Sequence, residues 1–162
     1  MNKKYLILFL IIGTFLIAGC KQRIGQVGST HEHIDFKVYI DNKEIDFAKQ
    51  EYMVKARYVH IESMDDDVIH KHATGVTMAD FIKTLGMELT PTCFKMNNQE
   101  YCSNSDKTLK IYFNGQLNDE AANWELRDLD KYLISYGNDN EANIKKQLSS
   151  VTNKACIDSK KC

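Results

Sequence analysis

From His31 to Ile40 the chain alternates without a break. Glu32, Ile34, Phe36, Val38 and Ile40 fall on one side, and His31, His33, Asp35, Lys37 and Tyr39 on the other. Strand side chains point to opposite faces in turn, so this predicts a half-buried strand with a mostly apolar core face. Asp41-Asn42 turns it into a hairpin partner over residues 43–47. A second hairpin pairs residues 58–62 with 68–72 across Ser63-Met64-Asp65-Asp66-Asp67. Its simplest register sets 62 opposite 68, 60 opposite 70 and 58 opposite 72.

The period then changes. Met78, Phe81, Ile82 and Leu85 form an apolar stripe at helical spacing. Thr77 and Asp80 resemble a capping box at its start, with Asp in place of the usual Glu or Gln. Gly86 stands where a left-handed residue ends a helix. Next, Cys93-Phe94-Lys95-Met96 and Gln99-Glu100-Tyr101-Cys102 flank Asn97-Asn98, a two-residue hairpin turn. That register makes Cys93 and Cys102 a non-hydrogen-bonded pair, within a disulfide's span. A strand over 108–114 turns Leu109, Ile111 and Phe113 inward and ends at the turn Asn114-Gly115. Residues 132–136 make a last short strand, closed by Gly137. Ile144, Leu148, Val151 and Ala155 predict one amphipathic helix over 141–155. Its narrow, moderately apolar stripe suits packing on the domain better than a membrane or a partner.

The N-terminus has the layout of an export signal: Lys3 and Lys4, an apolar run over residues 5–18, then Ile17-Ala18-Gly19-Cys20. The run is short for a spanning helix. Its last four residues resemble the lipobox of prokaryotic lipoproteins. The resemblance implies a signal peptide over 1–19, cleavage before Cys20, a lipid on Cys20 and an extracytoplasmic domain anchored to the cell membrane. The rival reading, an uncleaved anchor with an incidental cysteine, also places the domain outside the cytoplasm. Residues 20–30 carry Gly25, Gly28 and Ser29 and read as a tether.

Setting Cys20 aside leaves Cys93, Cys102, Cys156 and Cys162. An even number in an exported chain suggests disulfides. With Cys93 paired to Cys102, Cys156 and Cys162 close a loop over 156–162. No Cys-x-x-Cys is present, which speaks against a thioredoxin-type redox centre. The spacings fit a cysteine-only zinc site poorly. About 143 residues follow the signal, enough for one domain, over 31–155, with a real core. The formal charge of −1 becomes mildly more acidic without Lys3 and Lys4, and no basic patch stands out, which argues against nucleic acid.

The order of elements, two hairpins, a helix, a hairpin and closing strands, is that of an α+β chain. It resembles the β-grasp fold, a mixed sheet wrapping one helix. Gly75-Val76-Thr77-Met78-Ala79-Asp80-Phe81 resembles the strand-to-helix entry of ubiquitin-like domains. Leu109-Lys110-Ile111-Tyr112-Phe113-Asn114-Gly115, with Leu126-Arg127-Asp128-Leu129-Asp130 and Leu133-Ile134-Ser135-Tyr136-Gly137, resembles the closing half of sulfur carriers of that fold. Carrier chemistry needs a C-terminal Gly-Gly, whereas Gly137 is single and followed by 25 residues. Over about residues 30–150 the chain is similar to exported prokaryotic β-grasp lipoproteins of uncertain function.

All five histidines lie between positions 31 and 72, as His31-Glu32-His33, His60 and His70-Lys71-His72. Imidazole is the commonest side-chain metal ligand. The hairpin register sets His60 opposite His70, with His72 on the same face, so these three are the first candidate ligands. His31 or His33 completes the shell if the first strand lies beside this hairpin, and Glu32, Asp35 and Glu62 are carboxylate candidates. With the thiols in disulfides, copper(II) or zinc suits such a set better than copper(I) or an iron–sulfur cluster.

Three other readings compete. In one, the histidines sit on a solvated face and pair with Tyr39, Tyr58 or carboxylates. In another, Tyr39, Tyr58 and the histidines form a protein- or ligand-binding patch for an envelope partner, linked to thiol–disulfide systems. The third is a hydrolytic zinc site, which needs an open coordination position and a carboxylate base. Asp65-Asp66-Asp67 is a solvated turn on this reading, lacking the spacing and glycine of a calcium loop. Ser63, Ser103 and Ser105 have no Gly-x-Ser-x-Gly context and no phosphate-binding glycine loop is present, so nothing points to a catalytic residue.

Overall fold

The computed structural model describes residues 23–63, 65 and 67–162; the signal segment and Cys20 lie outside them. Strand β1 (Glu32–Ile40) ends at Asp41-Asn42, both at positive φ, and turns back into the short β2 (Lys43–Glu44). Strands β3 (Val59–His60) and β4 (Val68–Lys71) form the second hairpin, and helix α1 (Met78–Thr84) follows. Thr77 and Asp80 make the full reciprocal capping box, and Gly86 has a φ of +78°. Strands β5 (Glu88–Leu89), β6 (Cys93–Met96) and β7 (Gln99–Cys102) build a separate three-stranded sheet. Asn97 and Asn98 both have positive φ, as a tight turn between right-twisted strands demands. Cys93 faces Cys102 and is disulfide-bonded to it, with 4.0 Å between Cα atoms.

The chain then returns to the main sheet through β8 (Thr108–Phe113), β9 (Gln116–Leu117) and β10 (Lys131–Gly137). The order is β3-β4-β1-β10-β8-β9, with β2 also on β1. Strands β1 and β10 are parallel; the other pairs are antiparallel. The protein is thus an α+β chain with a mixed sheet. Ile34, Phe36 and Val38 of β1, Ile69 of β4, Ile111 of β8 and Ile134 of β10 meet Met78, Phe81 and Ile82 of α1 in one core. Burying each such side chain is worth about 1.5–3 kcal/mol.

The other face of β1 departs from expectation. Its polar residues should have faced water, yet His33, Asp35 and Lys37 are all buried. Helices α2 (Glu141–Ser150) and α3 (Lys154–Asp158) cover them. The single helix expected over 141–155 is broken, because Asp35 claims the start of its second part. Asp35 accepts hydrogen bonds from Thr152 Oγ1 (2.5 Å) and from the backbone N–H groups of Lys154 (2.9 Å) and Ala155 (3.3 Å). A carboxylate there satisfies amides that a helix leaves unpaired at its N-terminus.

The described part of the expected tether, residues 23–30, is held against the domain. Arg23 pairs with Asp80, Gly25 N donates to Thr74 O (2.9 Å) and Gly28 N to His72 O (2.6 Å). Gly75 permits this approach: it has a φ of +75°, and a Cβ there would meet Arg23 O at 1.7 Å. No helix among the described residues is long and apolar enough to cross a membrane.

Candidate metal centre

The site follows from register. In β1–β4, Glu32 faces Lys71 and His33 faces His70; in β3–β4, His60 faces His70. Three histidines therefore stand abreast on three neighbouring strands. His31 and His72 continue the row just beyond the ends of β1 and β4. His72 is fixed by its N–H to Tyr58 O (2.8 Å), which completes the expected pairing of 58 with 72. Lys71, on the opposite face of β4, locks the alignment through Glu32 Oε2 (2.5 Å), Glu125 Oε1 (3.2 Å) and Leu126 O (2.5 Å).

The five rings close into a circuit. Centroids are 4.8 Å apart for His31–His33, His33–His70 and His31–His72, 5.0 Å for His60–His72 and 6.0 Å for His60–His70. The tightest group is His31, His33 and His70, whose ligand nitrogens all lie within 4.8 Å of one another, close enough to hold a metal ion. Bonds of about 2.0–2.1 Å to a tetrahedral ion set its nitrogens about 3.3 Å apart, so closure asks for side-chain shifts of about 1 Å. His31 is exposed and has room to make that shift, whereas His33 is buried.

Hydrogen bonds choose the nitrogen that His33 presents. Its Nδ1 lies 2.8 Å from Ser159 Oγ, and Ser159 spends its one proton on Asp128 Oδ1, 2.6 Å away. Ser159 must then accept from His33 Nδ1–H, which leaves Nε2 with a lone pair. A metal-binding histidine is commonly oriented in this way by a partner on its other nitrogen. Asp128 also accepts from His33 N (2.9 Å) and Lys161 Nζ (2.5 Å). Against the upward pull of burial, Lys161, Ser159 and His33 N hold its carboxyl below the usual range. Ser159 and Lys161 lie in the loop closed by the Cys156–Cys162 disulfide. A cleft of about 260 Å³, lined by His31, His33, Asp128, Ser159 and Lys161, opens beside the rings.

Burial favours the neutral form of three of the rings. Burial lowers the pKa of His33, helped by His31, and burial lowers that of His70 against the pull of Glu62. His72 is lowered by burial, then by His60 and His31. A neutral imidazole is the form that binds a metal.

The other candidate residues have partners of their own. Tyr39 bonds Glu44 (2.8 Å) and Ser150 (2.9 Å). Asp35 serves α3. In the acidic turn, Lys154 reaches Asp65 (3.0 Å) and Asp67 (2.7 Å), and Lys37 also pairs with Asp67, so ammonium groups stand where a cation would. Asp66 lies outside the described residues. Comparisons with family models, with characterised proteins and with solved structures found no match to this chain. Ser159 and Asp128 were not visible as site residues in the sequence, since each is an ordinary polar residue far along the chain from His33.

Proposed function

We propose that this chain is a lipid-anchored, extracytoplasmic protein that binds a divalent metal ion, copper(II) or zinc, on its histidine-bearing sheet face. The observation that carries this reading is the closed circuit of five imidazoles, three of them grouped around one point and one already oriented by Ser159. Export and anchoring rest on the lipobox-like Ile17-Ala18-Gly19-Cys20 and suit a chain whose other four cysteines form disulfides. The β-grasp reading of the fold draws on the parallel β1–β10 pair at the centre of the sheet and on α1 packed across one face.

The test is calorimetric titration of the full chain, kept in mild detergent because of its apolar residues 5–18, with zinc and copper(II). Binding tighter than millimolar is expected, weakened at least tenfold by His31→Ala and by His70→Ala. Weaker binding, or binding indifferent to both substitutions, overturns the reading. Mass spectrometry of the mature chain reads the anchor: an N-terminal Cys20 carrying a diacylglycerol is expected, and an unmodified or uncleaved N-terminus refutes that part.

A further inference from the structure

We propose that His60, Glu62 and His72 form a second divalent-cation subsite beside the first, with Glu62 reaching across to His70, so that the sheet face takes two ions. This rests on the metal-binding reading above and adds a second ion to it.

His60 is buried, and its Nδ1 lies 3.0 Å from Ala56 O. A carbonyl can only accept, so Nδ1 carries a proton and Nε2 is the nitrogen left to bind an ion. That nitrogen faces Glu62 Oε2 at 3.3 Å. This separation is about that of two ligands of one tetrahedral ion, so the pair can share a cation with little movement. The backbone partner on Nδ1 is the arrangement that commonly orients a metal-binding histidine.

The rest of the geometry supplies a third donor and a link. The His72 ring is 5.0 Å from that of His60, and it is only half-buried, which leaves it room to swing in. Glu62 Oε1 points the other way, 3.7 Å from His70 Nδ1. One carboxylate therefore extends an oxygen towards each group, and its negative charge offsets the repulsion between two neighbouring dications.

Equilibrium dialysis of the full chain in mild detergent against zinc, with the metal counted by elemental analysis, decides the matter. Two zinc ions per chain are expected. Glu62→Gln should fall to one, and His31→Ala should also fall to one, by loss of the other ion. The Glu62 side chain is 45% exposed, so its amide variant should melt with the parent, which a thermal scan checks. One ion in the parent chain, or two retained in Glu62→Gln, overturns the second subsite. One ion lost only in His31→Ala overturns it while leaving the first site standing. No ion at all overturns both.

Discussion

His33 and Ser159 are joined by a 2.8 Å hydrogen bond although 126 positions separate them in the chain. The bond ties the start of β1 to the last turn of the molecule, and through Ser159 to Asp128. Ser159→Ala should therefore weaken metal binding at His33 by about tenfold or more, the usual cost of losing such a partner. Competition with a chelator of known affinity reads this. An unchanged affinity would mean that Ser159 does not orient the ring.

The two disulfides should separate cleanly. Replacing Cys156 and Cys162 by Ser frees the loop that holds Ser159 and should lower metal affinity. Replacing Cys93 and Cys102 should leave affinity unchanged, since that bridge belongs to the separate three-stranded sheet. Each bridge closes a short loop, so the stability lost is about 2–3 kcal/mol by chain entropy. Denaturant unfolding measures the second quantity and titration the first.

Asp35→Ala should destabilise the chain by about 2 kcal/mol, the upper end for a lost helix cap, because it strips partners from Thr152, Lys154 and Ala155 together. Its first consequence should be detachment of α3. Hydrogen exchange should show the amides of Lys154 and Ala155 losing protection while those of β10 keep theirs. Equal loss in both would show that α3 and the sheet unfold as one unit.

Acid should destabilise the metal-free protein in a defined window. His33, His70 and His72 have folded pKa values below the ordinary 6.5, so the unfolded chain binds more protons as pH falls through that value. Their contribution to stability is complete above about pH 6.5 and declines below it. The urea midpoint should be flat from pH 8 to 7 and fall from 6.5 towards 5. A His70→Gln variant should show a shallower fall, and an equally steep one would place the effect elsewhere.

Gly75→Ala should cost more than an exposed glycine replacement does. Its φ is +75°, and the new methyl would meet the Arg23 carbonyl. Residues 23–30 should then lift from residues 72–75, just beyond β4, which limited proteolysis near Arg23 would report. Resistance equal to the parent would count against that docking.

Much of the fold was legible because its signals are local. Hairpin registers follow from turn residues: Asn97-Asn98 sets Cys93 against Cys102, and the spacing of residues 60 and 70 sets those histidines opposite one another. The capping box and Gly86 bound α1 within a few residues of its stripe. What escaped is long-range. The polar side of β1 looked solvated because alternation reports two faces but not what covers each. Asp35 breaks the C-terminal helix from 117 or more positions away, and no periodicity within residues 141–155 contains that information. For the same reason His31 and His33 were conditional candidates in the sequence, yet they belong to the tightest group once β1 lies against β4.

The parallel pairing of β1 with β10, and the cap that α3 sets over β1, also impose an order of events. The histidine pairs are local, but β1 has no partner on its other edge until residue 131 onward is available, and His33 has no Ser159 until 126 further residues are made. Contacts so distant in sequence form late and slowly. A chain made only as far as residue 72 carries its histidines as a loose string of basic side chains, and the ring circuit gains its full support only once β10 and α3 are in place.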